Sequence, residues 1–161
     1  MLIDKNIKSK IDNIKIFLFD LDGVLILRKD RDEDELIQCM NEFTQKLKRD
    51  NLFAGIITGR SNDTLTKRLS DIDNCFVVTS SFNKVVSVEN IIKGMDLKFS
   101  NVLYIGDDML DIPLLQKAGV AIAPSSARRE VKRVVDFTVE INVNGSILQS
   151  VLEMIEGIKN D

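Results

Sequence analysis

The stretch Ile16-Phe17-Leu18-Phe19-Asp20-Leu21-Asp22-Gly23-Val24-Leu25 constrains this chain more than any other. Four apolar residues run into an aspartate, a spacer, a second aspartate and a glycine. A short apolar run rich in Phe and Ile reads as a strand buried on both faces. Strands of that kind sit inside parallel sheets covered by helices, and their carboxyl ends carry the chemistry in open α/β folds. Asp20 and Asp22 fall where this strand stops, and residues two apart on a strand project to the same side. Gly23 lets the backbone turn sharply after them. Two carboxylates held together call for a metal ion, a protonated partner, or both. Taken alone, the same residues also read as a strand followed by an Asp-Gly turn.

The rest of the chain repeats that pattern. Phe53–Ile57 is a second apolar run, ending in Thr58-Gly59-Arg60-Ser61. Cys75–Val78 is a third, stopped by Thr79-Ser80-Ser81, and Val102–Ile105 a fourth, running into Gly106-Asp107-Asp108-Met109-Leu110-Asp111. Val120–Ala123 ends at Pro124, and Val135–Val139 reads as a sixth strand. Helical spacing fills the gaps. Ile3, Ile7, Ile11 and Ile14 precede the first strand, and Leu36, Met40, Phe43 and Leu47 form a stripe on a helix from Glu33 to Arg49. Ser61 is placed to cap a helix carrying Leu65 and Leu69. Asn83-Lys84 opens a helix with Val88, Ile91 and Ile92, and Gly119 closes one with Leu114 and Leu115. A basic helix lies near Arg128, Arg129 and Lys132, and a last one carries Ile147 to Ile155. Strands alternating with helices predict a parallel βαβ sheet with helices on both faces. A length of 161 residues suits a single domain over the whole chain.

Composition narrows the chemistry. The chain contains no histidine. Serine–histidine triads, histidine general bases and histidine-bound zinc are thereby excluded, so catalysis must use carboxylates, lysine, hydroxyls and oxygen-bound metal. A net charge of −3 gives no basic surface for nucleic acid. No apolar stretch reaches the length of a membrane span, and Met1-Leu2-Ile3-Asp4-Lys5 lacks the apolar core of a signal peptide. Cys39 and Cys75 fall in a helical and a strand pattern, where they read as small buried hydrophobes in a reducing cytoplasm.

Every special residue follows a strand. Asp20 and Asp22 follow the first, Thr58 the second, Lys84 the third, and Asp107, Asp108 and Asp111 the fourth. Right-handed crossovers bring these ends to one edge of the sheet. Clustered carboxylates without histidine suit a hard divalent cation, Mg²⁺ above all, which keeps positions open for a phosphate oxygen. One carboxylate can attack phosphorus, and a second can protonate the leaving oxygen and later activate water. Lys84 and Thr58 would hold the equatorial oxygens. Individually, Lys84 also reads as a surface lysine, Thr58 as part of a helix cap and Asp107-Asp108 as a turn. Their shared placement at strand ends favours the functional reading.

The motifs Asp20-Leu21-Asp22-Gly23-Val24-Leu25, Ile57-Thr58-Gly59-Arg60-Ser61, Asn83-Lys84 and Tyr104-Ile105-Gly106-Asp107-Asp108-Met109-Leu110-Asp111 resemble those of the haloacid dehalogenase (HAD) superfamily. Within it they are similar to the capless type, which includes octulosonate and nonulosonate phosphate phosphatases and the tail domains of acylneuraminate cytidylyltransferases. The resemblance implies a three-layer Rossmann-like fold without a cap domain and a Mg²⁺-dependent phosphatase acting on a small phosphorylated sugar acid. It implies Asp20 as nucleophile and metal ligand, and Asp22 as general acid/base that also binds Mg²⁺ through its backbone carbonyl. By the same resemblance Thr58, Gly59, Arg60 and Lys84 bind the phosphoryl group, Asp107 completes the metal site, and Asp108 and Asp111 support it near the metal water or by orienting Lys84. A homo-oligomer, a tetramer, is implied as well. The chain differs from these proteins in Ile26–Glu33, which replaces a glycine-bearing hairpin that helps assemble them, and in a tail reduced to Asn142-Val143-Asn144-Gly145. Two other readings stand beside the phosphatase: a non-catalytic module serving assembly, and a phospho-accepting signalling domain.

Overall fold

A computed structural model describes residues 5–27, 32–141 and 146–161 of the chain. Six parallel strands form one sheet in the order β3-β2-β1-β4-β5-β6. They are β1 (Ile16–Phe19), β2 (Phe53–Ile57), β3 (Cys75–Val78), β4 (Val102–Ile105), β5 (Val120–Pro124) and β6 (Phe137–Val139). The helices are α1 (Lys5–Asp12), α2 (Glu33–Arg49), α3 (Thr64–Ser70), α4 (Lys84–Gly94), α5 (Ile112–Lys117), α6 (Arg129–Lys132) and α7 (Ile147–Asn160).

β1 is wholly buried and alternates between the two faces. Phe17 and Phe19 point into one core with α1, α2, α3 and α7, while Ile16 and Leu18 point into a second core with α4, α5 and α6. Phe43 of α2 meets Phe17 and Phe19 edge-on, at centroid distances of 6.0 and 5.4 Å. That geometry adds about 0.5–1.5 kcal/mol per pair beyond burial. The result is a three-layer α/β fold, and no cap domain interrupts it among the described residues. The chain moves outward from β1 to β2 and β3, returns to β4, and continues to β5 and β6. Strand order therefore reverses at β1, and in such sheets the ligand crevice lies at that switch point, outside the carboxyl ends.

Three local details depart from expectation. The cap of α3 is Asp63, whose side chain accepts from Thr66 N–H at 2.8 Å, and not Ser61. β6 starts two residues later than expected, at Phe137. There the Asp136 carboxylate accepts from Ala121 N–H at 2.8 Å, so a side chain does the work of a ladder carbonyl. Cys39 and Cys75 are only partly buried. Ile3, residues 28–31 of the stretch that replaces the hairpin, and the tail Asn142–Gly145 lie outside the described residues.

Candidate active site

Asp20 extends β1 by one residue, donating its N–H to Ile105 O of β4 at 3.0 Å. Its Oδ1 accepts from Leu21 N–H at 2.8 Å and lies 3.0 Å from Lys84 Nζ. Burial, then the charge of Asp111, pushes its carboxyl up to about 7, against the pull of Lys84. The strand has ended by Leu21, and a tight turn follows. Leu25 N–H and Ile26 N–H both donate to Leu21 O, and Gly23 N–H donates to Ile26 O. The two-residue period lapses there, yet Asp20 and Asp22 still line the same cavity. Asp22 swings out to Arg60, whose Nη2 lies 2.7 Å from Oδ1 and whose Nε lies 3.2 Å from Oδ2. Arg60 also reaches Asp63 at 3.3 Å, and the hydrogen bonds it donates to Asp22 raise its already high pKa.

Lys84 is the first residue of α4, placed by the Asn83 cap. Its side chain is buried, with Nζ 2.7 Å from Asp111 Oδ1 and 3.3 Å from Tyr104 Oη. Burial pulls the ammonium down, but Asp20 and Asp111 outweigh it and its pKa is raised. Asp111 is wholly buried and fully used. Oδ1 accepts from Lys84 and from Tyr104 O–H (2.6 Å), while Oδ2 accepts from the N–H groups of Asp107 (3.1 Å) and Asp108 (3.2 Å). Burial favours its protonated form, yet Lys84 and these donors win, and its pKa is lowered. Asp111 is thus an orienting acid for Lys84. Tyr104, read from sequence as a core strand residue, completes this network. The O–H reaching a carboxylate seven residues on had no signal in the strand pattern. Asp108 is exposed and caps its own 3-10 turn through Met109 N–H at 2.6 Å.

Thr58 is buried at the end of β2, its Oγ1 accepting from Arg60 N–H at 3.1 Å. Its own proton has no acceptor among the described residues and is free for a ligand. Asp107 follows β4, and burial, then Asp111, pushes its carboxyl up to about 6. Its Oδ1 is buried without a hydrogen-bond partner among the described residues. Leaving a buried carboxylate oxygen unpaired is costly, so the orphan signals a missing partner.

These groups line one cavity of about 480 Å³ at the carboxyl edge of the sheet. Asp20, Asp22, Thr58, Gly59, Arg60, Lys84, Asp107, Asp108 and Asp111 all face it, as do Phe82 and Leu110, which sequence reading missed. A cleft of about 290 Å³ between α2 and α7 carries no such constellation. One oxygen each from Asp20, Asp107 and Asp111 lies within 4.8 Å of the others. Because four donors already saturate Asp111, the ligands free for a cation are Asp20 and Asp107. Hard oxygen donors and an orphaned carboxylate fit a divalent cation of the Mg²⁺ type.

Residues 26–151 match the haloacid dehalogenase-like hydrolase family. The chain belongs to that family, and with its relatives' activity this makes it an enzyme of the HAD phosphatase type. Among proteins of known activity it is similar to the 3-deoxy-D-manno-octulosonate 8-phosphate phosphatase of Salmonella typhi, at 24% identity over 95% of this chain and 85% of that protein. The Escherichia coli K12 enzyme of the same name is 23% identical over the same shares. The fold matches the Moraxella catarrhalis enzyme of that name, crystallised with a magnesium ion, a phosphate ion and a KDO molecule. That match has a TM-score of 0.76 and 22% identity, covering 98% of this chain and 94% of the other. A hypothetical protein from Xanthomonas campestris matches with a TM-score of 0.83 at 20% identity, covering 99% and 91%.

Proposed function

We propose that this chain is a Mg²⁺-dependent phosphomonoesterase that hydrolyses a small phosphorylated sugar acid through an aspartyl-phosphate on Asp20. One observation carries the reading. Buried Asp20, the orphaned oxygen of Asp107 and the donors of Thr58 and Lys84 meet in a single cavity at the switch point of the sheet. The names of the octulosonate phosphate phosphatase relatives supply the substrate class.

Asp20 Oδ1 is held by Leu21 N–H and Lys84, while Oδ2 carries no hydrogen bond among the described residues. Asp20 is thus held with one oxygen open to the cavity, and its carboxylate is the group that attacks phosphorus. A P–O bond forms to Asp20 as the ester P–O bond breaks, and Asp22 gives its proton to the departing oxygen. Water next attacks the acyl phosphate, Asp22 takes up its proton, and Asp20 is released with inorganic phosphate. Lys84 and the Thr58 hydroxyl donate to the equatorial oxygens as charge shifts among them. Asp20, Asp107 and the backbone carbonyl of Asp22 would hold the cation, which supplies Lewis-acid stabilisation of phosphoryl charge when bound.

Asp22 faces Arg60 in this structure and must turn toward the leaving group during turnover. Its exposure, 56% for the side chain, leaves room for that swing. The reading also includes a homo-oligomer, a tetramer, and a cytoplasmic enzyme. The test is hydrolysis of a panel of phosphorylated sugar acids and neutral sugar phosphates, with Mg²⁺ and with chelator. The reading expects Mg²⁺-dependent turnover that is fastest on an acidic sugar phosphate. Full activity in chelator, or a preference for neutral esters, would contradict it.

A further inference from the structure

Phe82 and Leu110 stand out among the large apolar residues, at 86% and 77% exposed. Both line the catalytic cavity. An aromatic ring left in water beside a polar crevice marks a binding surface more than a packing defect.

Neither residue sits on a loose segment. Ser80 adopts a left-handed φ of 51° and donates its N–H to Arg60 O at 2.8 Å. Ser81 N–H donates to Thr58 O at 2.9 Å, and the Ser81 and Ser87 hydroxyls share a 2.6 Å hydrogen bond. Asn83 then caps α4. Phe82 is therefore held between two anchored neighbours and presented outward. Leu110 lies in the 3-10 turn between the capping Asp108 and the buried Asp111. In the sheet order β3-β2-β1-β4, the loops after β3 and β4 flank those after β1 and β2. The two apolar side chains thus bracket a floor made of carboxylates, hydroxyl and ammonium.

A phosphate ester seated on that floor directs its leaving group toward the mouth, where Phe82 and Leu110 are the apolar surfaces it meets. We infer that Phe82, with Leu110, determines specificity by gripping the C–H face of a ring in the leaving group, so that cyclic phosphate esters are selected over linear or very small ones. The inference rests on the phosphatase reading for what occupies the floor. Its occupant is set by the rim's continuity with the phosphate cavity, since the polar floor and apolar rim match a ligand that is anionic at one end and apolar-faced at the other.

The test is calorimetric binding of phenylphosphonate, methylphosphonate and inorganic phosphate to the Mg²⁺-loaded wild type, Phe82→Ala and Phe82→Leu. Wild type should bind phenylphosphonate about tenfold more tightly than methylphosphonate, the size of effect that one ring contact supports. Phe82→Ala should bring the two within about twofold, Phe82→Leu should recover part of the difference, and inorganic phosphate should bind all three proteins alike. An unchanged ratio in Phe82→Ala would overturn the inference. So would a change of oligomer mass in that variant by light scattering, which would make the ring an interface with a second copy. The phosphonates do not turn over, so this result is independent of activity. A ratio that behaves as expected in a protein that hydrolyses no ester would uphold the rim contact and remove the phosphatase reading instead.

Discussion

Gly23 leaves no room for a side chain beside Asp107. Gly23 has a φ of +85°, and a Cβ there would lie 1.9 Å from Asp107 Oδ2. Gly23→Ala must strain the turn and displace the carboxylate with the orphaned oxygen, at a cost of roughly 1–3 kcal/mol. Calorimetry should show Mg²⁺ affinity falling at least about tenfold; unchanged affinity would remove Asp107 from the metal site. Lys84 and Lys93 make a matched pair of tests on one helix. Lys84 is buried against two carboxylates, whereas Lys93 is 71% exposed and pairs with Glu89 on its own helix. Lys84→Ala should lower kcat/KM about 10²–10³-fold, as for loss of one preorganised charge-stabilising donor, and Lys93→Ala less than twofold. Equal losses would show that Lys84 has no special role. At this scale the sequence was legible wherever a residue's place followed from a strand end, as for Asp20, Thr58, Lys84 and Asp107. It was silent on Tyr104, whose ring reads as core while its hydroxyl serves Asp111. It did not show the pairing of Asp22 with Arg60, which forms in the turn after the strand has ended.

Among the elements, β1 to β5, α2 and α4 follow from apolar runs and helical stripes strong enough to override local detail. The start of α3 does not, because Ser61 and Asp63 are both good caps and only the capping box with Thr66 decides between them. That choice matters for function, since Asp63 also steadies Arg60, the partner of Asp22. Asp63→Ala removes the cap, a loss of about 1 kcal/mol, and should lower Tm by a few degrees for a domain of this size. A melting curve identical to wild type would mean that the Asp63 cap contributes nothing. β6 was misplaced by two residues because the Asp136 carboxylate takes the Ala121 N–H in place of a strand carbonyl, something no apolar pattern encodes.

For the molecule as a whole, the site opposes the fold unless a cation is present. Asp20 at about 7 and Asp107 at about 6 hold protons that unfolded carboxylates, at 3.8, have already released. The unfolded chain binds fewer protons there, so without metal these two acids cost stability as pH rises from about 4 through 7. A divalent cation replaces those protons and relieves the repulsion. The rise in Tm on adding Mg²⁺ should therefore be small near pH 5 and grow toward about pH 8. A shift of the same size across that range would mean that the buried acids are not the ligands. The central claim is that Asp20 takes the phosphoryl group, and covalent trapping tests it most directly. Enzyme quenched in acid during turnover should carry phosphate on the peptide containing Asp20, labile to hydroxylamine, and Asp20→Asn should carry none and lose activity about a thousandfold or more. Phosphate on another residue, or full turnover by Asp20→Asn, would contradict it.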